Sequence, residues 1–96
     1  MYAVTVLFHI APAHRATAYR LMRENAATSL RAEAGCKQFD VCTDAERPYT
    51  VFLYELYSDR AAFEDHLQSP HFKAFDAAVA GMIVTKEVAC FARVDQ

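Results

Sequence analysis

Residues 50–72, TVFLYELYSDRAAFEDHLQSPHF, decide the fold of this chain. The segment predicts a strand over 50–58, a tight strand-to-helix turn, a short helix and the start of another. Val51, Leu53 and Tyr57 fall on one face of the strand, Phe52, Tyr54 and Leu56 on the other. Two apolar faces mean a strand covered on both sides. Glu55 interrupts the pattern, because it shares a face with Leu53 and Tyr57, where an unpaired carboxylate is costly. Ser58-Asp59 supplies a helix N-cap ahead of Ala61, Ala62 and Phe63. His66 lies one helical turn beyond Phe63. Ser69-Pro70 then caps the next helix, proline at its first position, with His71 and Phe72 directly after.

Outward from this segment the period of the apolar residues changes with each element. Residues 2–10 alternate as a strand that ends at Ala11-Pro12-Ala13, since proline donates nothing to a ladder. Residues 14 to about 33 carry Ala18, Leu21, Met22, Asn25 and Ser29 at helical spacing, with Gly35 read as the C-cap. Residues 36–43 form a second strand, with Phe39 and Val41 opposite Gln38 and Asp40. A turn through Pro48 makes a hairpin with the 50–58 strand. Gly81 closes the last helix, and residues 86–94 give a fourth strand. The order β-α-β-β-α-β is the α+β ferredoxin-like arrangement with an antiparallel sheet. Helices cover only one face of such a sheet, so the other face predicts a homodimer packed sheet against sheet.

Whole-chain properties bound the function. Ninety-six residues make one domain spanning 1–96, and a 54% hydrophobic share is high for that length. Net charge is −2 with both signs interspersed, which argues against nucleic acid. No apolar run approaches the roughly 18 residues of a membrane span. The first ten residues lack the basic and small-residue features of a signal peptide. Cys36, Cys42 and Cys90, odd in number and without a C-x-x-C pair, fit a reducing, cytoplasmic setting. Cys36 and Cys42 lie about 20 Å apart at strand rise and cannot bridge. Only two glycines are present, so there is no phosphate-cradling loop. His66 and His71 are five apart across a proline, and no histidine–cysteine cluster has ligand spacing, so no metal is expected.

The segment YELYSDRAAFEDHLQSPHF, with Asn25 and Gly35 before it, resembles the antibiotic biosynthesis monooxygenase domain, a dimeric α/β barrel. The resemblance covers nearly the whole chain. It implies a homodimer with a substrate cavity between sheet and helices, working without flavin, haem or metal. It also implies oxidation of a small quinol or phenol by dioxygen, the deprotonated substrate donating electrons to oxygen. Residues 25–44, NAATSLRAEAGCKQFDVCTD, are similar to another branch, isomerases of phosphorylated autoinducer-2. Members that oxidise polyketides carry tryptophan where this chain has Ser29, which favours a smaller substrate here.

Chemistry and resemblance together nominate His66, Asn25 and Asp40 as catalytic. His66 titrates near neutral pH and serves as general base or acid, or else packs as a helix-end residue. Asn25, a poor helix former in mid-helix, donates to a developing oxyanion, or else faces solvent. Asp40 and Glu55 on neighbouring strands act as carboxylates of raised pKa, or pair with Arg31, Arg93 or Lys37. Tyr54, Tyr57, Glu55, Ser29, His71 and Phe72 are the candidate substrate contacts. The isomerase reading needs a cationic phosphate anchor, for which Arg31 and Lys37 are candidates. A non-enzymatic ligand-binding dimer is the third class of reading.

Overall fold

The computed structural model describes Met1–Gln96. The elements in chain order are β1 (Tyr2–Ile10), a 3-10 turn (Pro12–His14), α1 (Arg15–Ala32), β2 (Cys36–Asp44), β3 (Arg47–Tyr57), α2 (Arg60–Gln68), α3 (Pro70–Val79) and β4 (Ile83–Phe91). The strands form one antiparallel sheet in the order β2-β3-β1-β4. This is the α+β ferredoxin-like arrangement read from the sequence.

Cross-strand register fixes which residues share a face. Val4 pairs with Glu55, Val6 with Leu53 and Phe8 with Val51 on the inner face. Ala3 pairs with Leu56 and Leu7 with Phe52 on the outer face. The helices pack on the inner face, where α1 buries Ala18, Met22, Asn25, Ala26 and Ser29 along one stripe. That i, i+4 stripe packs mainly over β2 and the neighbouring inner face of β3, and burying its largest member, Met22, contributes roughly 1.5–3 kcal/mol. No helix covers β4, so its inner residue Val88 stays 51% exposed and one side of the sheet–helix gap is open.

Three details differ from the sequence reading. The strand β3 begins at Arg47, because Asp44 pairs with Arg47 across a two-residue turn. Pro48 is tolerated inside it: a bulge lies between Cys42 and Asp44, and β1 joins β3 only from Thr50 onward. The last strand begins at Ile83 and ends at Phe91, recruited by pairing with β1 as far as Ile10. Gly35 and Gly81 are not left-handed caps, since neither has positive φ. The helix α1 instead ends at Glu33 in extended backbone, whose N–H bonds Ser29 O at 3.0 Å. Gly35 is required for a different reason. A Cβ there would stand 2.5 Å from Ala62 Cβ, so glycine lets α2 close onto the end of α1.

Candidate functional site

Three helix ends meet beside the inner face of β3. Asp59 caps α2 by accepting from the Ala62 N–H at 2.8 Å, and α2 then runs just far enough to put His66 in its last turn. Ser69 joins α2 to α3 from both sides. Its hydroxyl donates to His66 O at 2.7 Å and accepts from the Phe72 N–H at 3.3 Å. Pro70 at the first position of α3 fixes the turn, and the His71 ring points back toward α1.

The ring of His71 meets a carboxylate that the sequence reading did not nominate. Glu33 Oε2 lies 2.8 Å from His66 Nδ1 and 2.6 Å from His71 Nε2. Ser29 Oγ stands close to the same two nitrogens, at 3.4 and 3.1 Å. A carboxylate oxygen only accepts, so each of these nitrogens carries its hydrogen toward Glu33. Neither hydrogen bond of His66 uses Nε2. The His66 ring is 2% exposed and sits among Phe72, Tyr57, Phe39 and Phe63, with centroids 4.9–6.2 Å away. Burial lowers its pKa, against the bond and charge of Glu33, which raise it. Burial raises the carboxyl of Glu33, but the hydrogen bond and charge of His66, the hydrogen bond from His71 and the nearby Ser29 hydroxyl outweigh it, leaving it below the ordinary range.

His66, Asn25, Glu55 and Phe72 line a largely apolar cavity between helices and sheet, with Lys86 and Val88 of β4 on its open side. About 60 Å³ of it is accessible to the centre of a water molecule. That enclosed part is below the ~150 Å³ cavity that takes benzene, so one small ring fits only by extending through the open side beside Lys86 and Val88. Asn25 is 5% exposed, and its Oδ1 is buried with no hydrogen-bond partner. An unpaired buried amide on a cavity wall is costly unless a bound molecule pairs with it. Glu55 accepts a 2.6 Å bond from the Tyr57 hydroxyl. Burial nevertheless pushes its carboxyl up to about 7, with Glu33's charge adding to the rise and Tyr57 and Lys86 opposing it.

The remaining nominated residues separate cleanly. Ser29 and His71 stand behind His66, and Tyr57 packs against its ring while holding Glu55. Asp40 and Tyr54 are a correction. They pair with each other on the outer face, away from the cavity, because Phe39 and Glu55 take the inner positions. Asp40 is exposed and accepts from Gln38 Nε2 at 2.6 Å, so it neither shares Glu55's environment nor reaches His66. Arg31 and Lys37 are exposed as well, and Lys37 donates to Ala34 O. The cation beside the cavity is Lys86. The sequence did hold a signal for Glu33: it lies four residues beyond Ser29 and continues the buried stripe of α1.

No spacing along the chain predicts a metal cluster, yet three helix ends bring Glu33, His66 and His71 together, with ligand atoms within 4.8 Å of one another. These are the residues that could hold a metal. Their geometry is that of hydrogen bonds, however. Tetrahedral ligands 2.0–2.1 Å from zinc stand about 3.3 Å apart, whereas both nitrogens approach one oxygen to 2.6 and 2.8 Å.

The family model described as antibiotic biosynthesis monooxygenase matches residues 1–78. The chain belongs to this family. A Mycobacterium tuberculosis protein provisionally named a monooxygenase is 36% identical over 73 residues, which are 76% of this chain and 70% of that protein. The solved structure of that mycobacterial protein aligns with a TM-score of 0.89 at 28% identity, covering 99% of this chain and 96% of the other. A Nitrosomonas europaea structure, provisionally named an antibiotic biosynthesis monooxygenase, gives a TM-score of 0.92 at 23% identity. It covers 99% of this chain and 100% of its own, and speaks to the fold alone. No helix of this family member is long and apolar enough to cross a membrane.

Proposed function

We propose that this protein is a cofactor-independent monooxygenase that oxidises a single-ring quinol or phenol with dioxygen. The observation that carries the reading is His66, whose Nδ1 is held by Glu33 and whose Nε2 is left unpaired on a ring that lines an apolar cavity. A hydroxyarene in that cavity gives its hydroxyl proton to Nε2. The Nδ2–H of Asn25 donates to the resulting oxyanion, while its buried Oδ1, otherwise unpaired, accepts from the ring's other hydroxyl. The electron-rich phenolate is the reductant of oxygen, and the overall change balances without another donor. A dihydroxybenzene plus dioxygen gives a hydroxybenzoquinone plus water, the ring supplying all four electrons and the oxygen atoms dividing between quinone and water. Glu55, near half-ionised at neutral pH, is a second site for a ring proton.

The test is oxygen uptake with a panel of small dihydroxyarenes, wild type beside His66→Ala. Enzyme-dependent uptake is expected, reduced in the variant by about 10²–10⁴. Equal uptake by both proteins removes His66 from the mechanism, and uptake at the uncatalysed rate for every compound overturns the oxygenase reading.

One observation favours a second reading. Two proton acceptors, His66 and Glu55, and a cation, Lys86, border the same cavity, as an isomerase shifting a proton beside the carbonyl of a phosphorylated dione requires. Turnover of such a dione, lost in Lys86→Met, would select it.

A homodimer through the outer sheet face belongs to either reading. Phe52 and Phe91 are 38% and 52% exposed on that face, and an uncovered apolar sheet face calls for a partner surface. Light scattering is expected to give twice the chain mass, falling to the chain mass in Phe52→Asp. A monomeric wild type would refute the dimer.

A further inference from the structure

We propose that Glu33, braced by His71, is a positioning residue that sets the tautomer and direction of the His66 ring. The proposal rests on the reading of His66 as the base, since it explains how that base is kept ready. A neutral imidazole accepts a proton only at the nitrogen without one, and two tautomers of similar energy would divide the ring between useful and useless forms. Here the choice is made from outside the cavity. Glu33 Oε2 accepts from Nδ1 at 2.8 Å, which places the free lone pair on Nε2. It also fixes the rotation of the ring, because a flip would turn Nδ1 away from its only carboxylate.

Glu33 is itself constrained. It lies just past the end of α1 in extended backbone, where a side chain has several directions open to it. The 2.6 Å bond from His71 Nε2 ties the same oxygen to α3, and Ser29 Oγ, fully buried, packs between the two rings. Three separate helices thus agree on the position of one oxygen atom. The titratable groups facing His66 are Glu33 on α1, His71 on α3 and Tyr57 on β3, with Glu55 and Lys86 on the walls of the shared cavity. Of these only Glu33 offers an anion in contact with the ring. When Nε2 takes a proton, the new imidazolium forms an ion pair in place of standing as an isolated charge in an apolar site.

The experiment is ¹⁵N NMR of histidine-labelled full-length protein, with Glu33→Gln, His71→Ala and His71→Gln beside the wild type. Wild type is expected to show His66 as the Nδ1–H form with Nε2 bare. Glu33→Gln, isosteric but uncharged, is expected to mix the tautomers, lower the His66 pKa further and cut kcat/KM on the best hydroxyarene about 10²-fold. His71→Ala is expected to cost about 10-fold, and His71→Gln, whose amide N–H reaches the same oxygen, to recover most of it. A purely structural role would leave the tautomer untouched in all variants. An unchanged His66 tautomer and pKa in Glu33→Gln overturn the proposal, whatever the activity. So does zinc retained at about one per chain after dialysis and lost in His71→Ala. Tautomer mixing in a protein that oxidises none of the arenes upholds the positioning and defeats only the oxygenase reading.

Discussion

Glu33 and Glu55 are two largely buried carboxylates around one histidine, yet they are driven in opposite directions. Both lose water. Glu33 recovers that loss from two imidazole donors on two helices, both bonded to Oε2, and its carboxyl falls below the ordinary range although Oε1 has no partner. Glu55 has one donor, Tyr57, and burial carries it up to about 7. The difference teaches that depth and donors together set a carboxylate's charge: Glu55 is the deeper of the two and has the fewer donors. One end of the site therefore holds a permanent anion and the other a group that exchanges a proton near neutrality, which is the separation an acid–base site needs.

The largest effect expected from this contrast is in stability against pH. Glu55 has a folded-state pKa above its ordinary 4.5. Its contribution is fully present below 4.5 and is lost as pH rises through about 7, amounting to roughly 3 kcal/mol by the full shift. Urea unfolding should find Glu55→Gln, which keeps an acceptor for Tyr57, about equal to wild type in acid but more stable above neutrality by up to roughly that amount. No gain at high pH would mean that Glu55 is ionised throughout and the contrast false. Glu33 and His66 carry the opposite sign. Both folded pKa values are lowered, so their stabilisation is present at neutral pH and is lost as pH falls through them. Glu33→Gln should therefore flatten the acid side of the profile and leave the alkaline side as it was.

Packing at the Glu33 end gives the next effect. Gly35→Ala forces a methyl to within 2.5 Å of Ala62 Cβ, where α2 closes on the end of α1. A loss of about 1–3 kcal/mol is expected, equal at all pH values. A pH-dependent loss would show instead that the junction's charges, not its close approach, had been disturbed.

Asn25 sharpens the comparison from the cavity side, since its Oδ1 has no donor at all. Asn25→Leu should raise stability by about 1 kcal/mol while lowering turnover, because an unpaired buried amide is retained for a ligand and not for folding. A variant both less stable and equally active would refute that role. Ser29→Ala, which removes the hydroxyl between the two imidazoles, is expected to be the mildest, near 0.5–1 kcal/mol by thermal melt. A larger loss would raise Ser29 to the rank of Glu33 itself.

What the sequence by itself determined is local or periodic. Alternation placed Val51, Leu53, Glu55 and Tyr57 on one face, the 3.6-residue period put Asn25 and Ser29 on the buried stripe, and Asp59 and Ser69 cap the helices as their residue types require. His66 followed from the length of α2 and from resemblance. Tertiary structure alone decided the rest. Period two separates Phe39 from Asp40 but does not say which face the helices will cover, and register then seated Asp40 against Tyr54 on the outside. The meeting of Glu33, His66 and His71 is a property of three helix ends, 38 residues apart at its widest, and no spacing within one element encodes it. Gly35 shows the same limit: the sequence marks a place where the chain must be slender, but only the approach of Ala62 says that the need is for closeness and not for a left-handed turn. Short-range geometry is written in the order of residues, whereas the charge of a buried group depends on which distant donors the packed helices bring within 3 Å of it.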